Sequence, residues 1–345
     1  MEYKGKFEIF DSENIKTYPV KERISKVKLE DFKDLSTYRE QNFKATQSTI
    51  KKIRDLSKKL IEFRADGKPV IIFTGAHLIK NGLGPVLIDL VKRGLVTLIG
   101  GNGATIIHDF ELALIGETSE DVPSVLKKGQ FGMAYEFNYI NKALEIGDRC
   151  ELGFGEAIGK FMSEESFSRR ITSELLTEGK KITFKYPDIS LVANCYKENV
   201  PFTVHVGIGT DVIDQLCTFN GRYKGGCSGR DFLILVNEIT KFTQGGVIIN
   251  IGSAVTGPEV ILKAVSMACN AGKKPDDFLI ADFDIRSGYS KSAPGQCSEN
   301  YYFRDQKSLV CRIPKSLGGE GIYIKGDQRT TVPLLYKNIL ENLKL

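Results

Sequence analysis

Six short apolar runs, each closed by glycine or a polar residue and followed by a segment of helical periodicity, constrain this chain more than any other feature. They fall at residues 70–73, 95–99, 202–206, 247–251, 278–281 and 321–324. Continuous apolar runs this short suit parallel strands buried on both faces better than half-exposed hairpins, which would alternate. Between them lie segments long enough for crossover helices, at 85–93, 106–115, 231–240, 258–271 and 332–343. Strand alternating with helix predicts an α/β fold with a doubly wound, mostly parallel sheet. Ligands of such sheets bind outside the carboxyl ends of the strands, so the residues after each run carry the functional reading.

Ahead of the first run, residues 1–40 show little periodicity and read as an extended lead-in. Phe43, Ile50, Ile53, Leu56, Leu60, Ile61 and Phe63 then recur mostly at three- and four-residue steps, one face of a helix that Gly67 and Pro69 bring to an end. The expected organisation is an N-terminal extension and helix over 1–66, then a single α/β nucleotide-binding domain over 67–345. Residues 118–190 are expected to hold helices and insertions.

Composition narrows the class. With 41% hydrophobic and 26% charged residues, the chain is neither disordered, collagenous nor a small disulfide scaffold. Its seven cysteines form no CxxC pair and read as reduced thiols. A net charge of +5, with the excess in the first 70 residues, is too weak to imply nucleic acid. No apolar run approaches the roughly 18 residues of a membrane span. The opening MEYKGKFEIF has no apolar signal core, so a cytoplasmic protein is expected.

The strand-end segments share a chemistry. They read Thr74-Gly75-Ala76-His77, Gly100-Gly101-Asn102-Gly103, His205-Val206-Gly207-Ile208-Gly209-Thr210-Asp211, Asn250-Ile251-Gly252-Ser253-Ala254 and Lys325-Gly326-Asp327. Glycine there lets backbone N–H groups approach a ligand, and a following helix N-terminus favours an anion. A glycine that merely permits a tight turn explains any one of these; several on one edge point to a composite crevice. No GxxxxGK[ST] occurs, and none of the five G-x-G pairs has a third glycine at the fingerprint position, so a dinucleotide would need another geometry. All three histidines, His77, His108 and His205, fall at or near these ends, where an imidazole can carry a proton, bind a metal or simply hydrogen-bond a neighbouring turn; no chelating spacing links them. Asp109, Asp211, Asp282, Asp284 and Asp327 lie there too, where a carboxylate holds a ribose or an amine, or caps a helix.

With these segments in place, the chain from Pro69 to Leu335 resembles the deoxyhypusine synthase superfamily. The paired loops at 73–82 and 98–109, the stretch from Asn199-Val200-Pro201-Phe202 to Thr210-Asp211, the strand at 247–254, and Gly326-Asp327 with Pro333-Leu334-Leu335 follow the family's motif order. The resemblance implies a Rossmann-like NAD-binding fold and NAD contacts at Ala76, Asn102, Gly103, Asp211, Gly252, Ser253 and Asp327. It also implies a homotetramer with sites between subunits, and a lysine that carries an aminobutyl group taken from a polyamine. The family's W-G-K is missing, since the chain has no tryptophan; Lys315 stands at about the matching distance before Asp327, with Lys307 second. The family's acidic pair on the second helix reads Ile107-His108, with only Asp109 kept, and the segment 289–312 adds length.

The sequence therefore leads to an enzyme that uses bound NAD for transient hydride transfer on an amine-bearing small molecule. Lys315 is the expected covalent or acid–base group, and His108 or His205 the proton shuttle. A nucleotide-binding module without chemistry, and a metal-dependent hydrolase or lyase built on the three histidines, are the alternatives.

Overall fold

The computed structural model describes residues 3–175, 182–286, 303 and 306–343. Cys297 and most of the added segment 289–312 lie outside them. Each of the six apolar runs forms a strand: β2 (Val70–Thr74), β3 (Leu98–Asn102), β5 (Phe202–His205), β6 (Gly246–Ile251), β7 (Phe278–Asp284) and β8 (Glu320–Lys325). A two-stranded antiparallel ribbon joins β1 (Ser25–Lys28) to β4 (Glu117–Glu120). The six make one parallel sheet in the order β5-β3-β2-β6-β7-β8. Counted along the chain that order is 3-2-1-4-5-6, the order of dinucleotide-binding doubly wound sheets. It reverses between β2 and β6, and the crevice of such a sheet opens there.

Both faces of the sheet are covered, which is why its strands read as unbroken apolar runs. All five residues of β2 and all six of β6 are buried. Ile72 and Ile99 pack into one core with Ile53, Leu56 and Leu60 of the helix Gln47–Ala65 and with Leu335 and Ile339 of the helix Gln328–Asn342. Ile71, Phe73 and Ile248 face the other side, against Leu235 and Ile239 of the helix Gly221–Ile239 and Ile261 and Ala264 of the helix Thr256–Asn270. The helix Gln47–Ala65 thus shares its core with the sheet, and truncating a fully buried leucine such as Leu56 to alanine would cost about 2–5 kcal/mol. No helix among the described residues is long and apolar enough to cross a membrane.

Two of the boundaries that differ from the sequence reading do so for local reasons. β3 starts at Leu98 because Leu95 closes the preceding helix Gly84–Lys92: its N–H donates to the Leu90 carbonyl (3.0 Å) and the Gly94 N–H to Val91 (2.9 Å). This is a Schellman closure with glycine in the left-handed conformation. The helix Gly221–Ile239 starts ten residues earlier than the expected 231, with Asn220 as its N-cap. Glycines at 225, 226 and 229 mask its periodicity, and a Cβ at Gly226 would lie 2.3 Å from Asp148 Oδ1. The stretch left open between 118 and 190 holds β4 and three longer helices, Phe137–Arg149, Phe154–Ser163 and Glu165–Glu174.

Candidate functional site

The carboxyl edge of the sheet falls into two unlike halves. Beyond β3 and β5, Asn102 caps the helix Gly103–Ile115, its side-chain oxygen accepting from the Thr105 N–H (3.0 Å). Gly103 opens that helix, and a Cβ there would lie 2.2 Å from Asp211 Oδ2. A carboxylate of the chain itself therefore sits where the helix N-terminus would receive an anion. Lys224, 1% exposed, holds it there. Its Nζ donates to Asp211 Oδ2 (2.7 Å), Asp214 Oδ1 (2.7 Å) and the Gly207 carbonyl (3.1 Å). Burial pushes the Asp211 carboxyl up, against the pull of Lys224.

His205, at the end of β5, belongs to the same closed half. It is stacked on Phe73 with ring centroids 5.4 Å apart, meets Phe232 edge-on, and bonds Thr203 Oγ1 (3.1 Å). Burial lowers its pKa to about 4, so its imidazole is neutral and walled in. Asp109 is buried as well and turns away from the edge. Its oxygens accept from the Leu191 (2.8 Å) and Val192 (3.2 Å) N–H groups and so cap the helix Leu191–Lys197.

Beyond β2, β6, β7 and β8 the edge is open. The Gly75 N–H donates to the Ile251 carbonyl (3.0 Å), so the turns after β2 and β6 touch at the switch point. A Cβ on Gly75 would come within 2.5 Å of the Gly252 oxygen, and Gly252 itself has φ +65°. Both positions need glycine. A cleft of about 520 Å³ runs from this contact past Phe283 to Gly326, with His77 on its wall. That volume lies within the roughly 300–1,000 Å³ of small-molecule and cofactor sites.

Asp284 and Asp327 stand on the cleft at the ends of β7 and β8, each next to an arginine two residues on. Asp284 accepts from the Arg286 N–H (2.8 Å) and Nε (2.8 Å). Asp327 caps the final helix, Oδ1 accepting from the Arg329 N–H (2.8 Å), and the Arg329 bond holds its carboxyl below the usual range. Ser253 is buried, its Oγ accepting from the Gly257 N–H (2.9 Å) at the start of the helix Thr256–Asn270. Ala76 precedes the one-turn helix His77–Lys80. Burial, then the charges of Lys80 and His108, hold His77 below its ordinary pKa.

Of the residues expected from the sequence, the structure gathers Gly252 and Asp327 on the open cleft, with Ser253 beneath the turn and Ala76 beside His77. Asn102, Gly103 and Asp211 meet one another instead, in the closed half. Lys315 lies on neither: the helix Ile313–Leu317 and Gly318–Gly319 lead into the amino end of β8, where a Cβ on Gly319 would strike Phe278 at the start of β7. Within one copy of the chain, Lys315 is thus at the opposite edge of the sheet from the cleft. Lys307 precedes it in the π-helical turn Gln306–Arg312. Among the described residues no three His, Cys, Asp or Glu side chains converge as metal ligands. Sequence reasoning missed Arg286, Arg329 and Lys224. The two arginines had a signal, the repeated Asp-x-Arg of 284–286 and 327–329. Lys224 had none.

Strand order and an open switch-point crevice define a doubly wound, Rossmann-like α/β protein. No family profile matches the chain. Over 153 residues, 44% of its length, it is 26% identical to the ornithine cyclodeaminase of Methanothermobacter thermautotrophicus, and the match spans 36% of that relative. A solved complex of AgrE with ornithine and NAD+ overlaps 88% of this chain and 35% of its own, at 12% identity and a TM-score of 0.47. A structure from Entamoeba histolytica assigned as a deoxyhypusine synthase overlaps 95% of this chain and 97% of its own, at 10% identity and a TM-score of 0.39. At that distance the deoxyhypusine synthase resemblance reduces to a related architecture, which the strand order establishes by itself.

Proposed function

We propose that this chain is an NAD-using enzyme acting on a small amine-bearing molecule, with the dinucleotide in the cleft between the Gly252 and Gly326 turns. The observation that carries this is the open cleft of about 520 Å³ beside the switch point, bordered by the Gly252 and Gly326 turns. The residues present suit the group. The Asp284 and Asp327 carboxylates are acceptors for ribose hydroxyls, while Arg286 and Arg329 would face the pyrophosphate; the Gly75, Gly252 and Gly326 N–H groups are taken up by the Ile251, Phe283 and Asp284 carbonyls. When bound, the nicotinamide would supply a hydride acceptor for oxidation of an amine-bearing carbon.

The amine-bearing substrate is supported by the partial match to a protein named for its action on ornithine, a diamino acid. Because that match spans about a third of the relative, the particular substrate and the reaction belong to the proposal. Self-association into a homo-oligomer is part of the same reading, and light scattering on the purified chain reads it directly.

Calorimetric titration with NAD+ tests the cofactor. Saturable binding at one site per chain is expected, weakened at least tenfold in Gly252→Val, whose side chain would enter the cleft. At 100 times its dissociation constant the ligand should stabilise the fold by about 2.7 kcal/mol. Absence of binding at millimolar NAD+, or equal affinity in the variant, would overturn the reading.

A further inference from the structure

We infer that Gln328 is the residue by which the cleft selects a nicotinamide ring, its side-chain amide pairing with the ring's carboxamide; the inference rests on the cofactor reading of the cleft given above. Gln328 opens the final helix, directly after the capping Asp327, and lines the cleft together with Gly252, Phe283 and Ile285. Its Oε1 is buried and has no hydrogen-bond partner among the described residues. That oxygen lies against the switch-point turn: a Cβ on Gly252 would stand 3.4 Å from it. A buried carbonyl oxygen without a donor is costly, and nearly every such group in a folded chain finds one. Turning the amide over would leave an equally unpartnered N–H in the same place.

The local structure gives this amide no other task. The helix start is complete without it: Asp327 Oδ1 accepts from the Arg329 N–H (2.8 Å), and the Asp327 carbonyl accepts from the Thr330 and Thr331 N–H groups (both 2.9 Å). In the closed half, by contrast, the Asn102 amide oxygen is occupied by the Thr105 N–H (3.0 Å) and hydroxyl (2.9 Å). The carboxylates on the cleft are engaged by arginines, Asp284 by Arg286 Nε (2.8 Å) and Asp327 by Arg329 Nε (3.0 Å). His108 is not among the lining residues, and its Nδ1 lies 2.6 Å from Thr118 Oγ1. Gln328 is thus a polar group of the cleft wall that the fold itself leaves for a ligand.

Depth and polarity say which part of the dinucleotide meets it. Arg329 stands on the rim with 68% of its side chain exposed, where a guanidinium meets phosphate without losing its water. Gln328 Oε1 is inside, on a wall shared with the buried Phe283. A flat ring that carries a carboxamide matches this wall: its N–H donates to Oε1, its carbonyl accepts from Nε2, and its face meets apolar surface. Nicotinamide is that ring. It is also the one that must be held by a fixed face and kept from water for a hydride to pass. Adenine offers an amino group and a ring nitrogen on one edge, but its role demands neither shelter nor a fixed face.

Calorimetric titration of the full chain with a set of probes decides it. These are NAD+; 3-acetylpyridine adenine dinucleotide, in which a methyl replaces the carboxamide nitrogen; nicotinamide hypoxanthine dinucleotide, which lacks the adenine amino group; and ADP-ribose, which lacks the nicotinamide. The wild type should bind the acetylpyridine analogue about tenfold more weakly than NAD+, and the hypoxanthine analogue as well as NAD+. Gln328→Leu should bind NAD+ and the acetylpyridine analogue alike, with its ADP-ribose affinity unchanged. Ligand-free Gln328→Leu should melt no lower than the wild type, because the oxygen it loses has no partner in the fold. A wild type indifferent to the acetylpyridine change, discrimination that survives in Gln328→Leu, a penalty that falls on the hypoxanthine analogue instead, or a clearly lower melting temperature overturns the inference and leaves the cofactor reading intact. Failure of the wild type to bind NAD+ overturns the cofactor reading, and this inference with it.

Discussion

The two halves of the carboxyl edge use the same grammar, a strand, a glycine turn and a helix, yet end differently. Beyond β3 and β5 the chain supplies its own anion: Asp211 lies against Gly103 and is neutralised by the buried Lys224. Beyond β6, β7 and β8 the carboxylates of Asp284 and Asp327 pair with arginines on the rim of a cleft of about 520 Å³. Helix ends are capped in both halves, by Asn102 in one and by Ser253 and Asp327 in the other. Glycine in a turn cannot separate these cases, because both need it. What separates them is whether a side chain from elsewhere in the chain fills the space.

The largest expected contrast comes from removing one cation in each half. Lys224→Met leaves Asp211 and Asp214 buried without a counter-charge and should cost about 3–5 kcal/mol in urea denaturation. Arg329→Ala, on the exposed rim, should cost about 0–1 kcal/mol. Equal losses would break the contrast.

Adding a methyl to the closed half is the next largest effect. Gly103→Ala puts a Cβ 2.2 Å from Asp211 Oδ2 and should destabilise the fold by about 1–3 kcal/mol while leaving NAD+ affinity unchanged. Melting and calorimetry on the same sample read both.

Proton linkage sharpens the comparison further. Under the closed half, Asp231 accepts from the Val204 (2.7 Å) and Gly155 (3.0 Å) N–H groups, and burial pushes its pKa up to about 8. Its folded value lies above the unfolded one of about 3.9. Its contribution is therefore fully present below that unfolded value and is lost as pH rises through about 8. Asp327, whose carboxyl is lowered by Arg329, has the opposite sign: its contribution is present above the unfolded value and is lost as pH falls. In thermal melts across this range, Asp231→Asn should remove part of the decline with rising pH; an unchanged profile would contradict the assignment. Asp327→Ala removes a helix cap and should cost about 0.5–2 kcal/mol in the same urea denaturation.

The strands were legible because a strand buried on both faces leaves a local record, an unbroken apolar run, and all six runs became strands of one sheet. Boundaries blurred where a local rule ran against tertiary packing. Leu95 is apolar because it closes a helix, and Gly226 interrupts a pattern because Asp148 must pass it. At the site, Gly252 and Asp327 could be read from position at strand ends, and Arg286 and Arg329 from a repeated tripeptide. The filling of the β3 half could not. It depends on Lys224 meeting Asp211 and Asp214, which only the assembled fold decides.

A structure determined with NAD+ bound tests the central claim most directly. The account predicts the dinucleotide along the open half, its backbone contacts at Gly252 and Gly326, with the Asp211–Lys224 pair undisturbed. Density for it over Asn102 and Gly103, with Asp211 displaced from the helix end, would contradict the account.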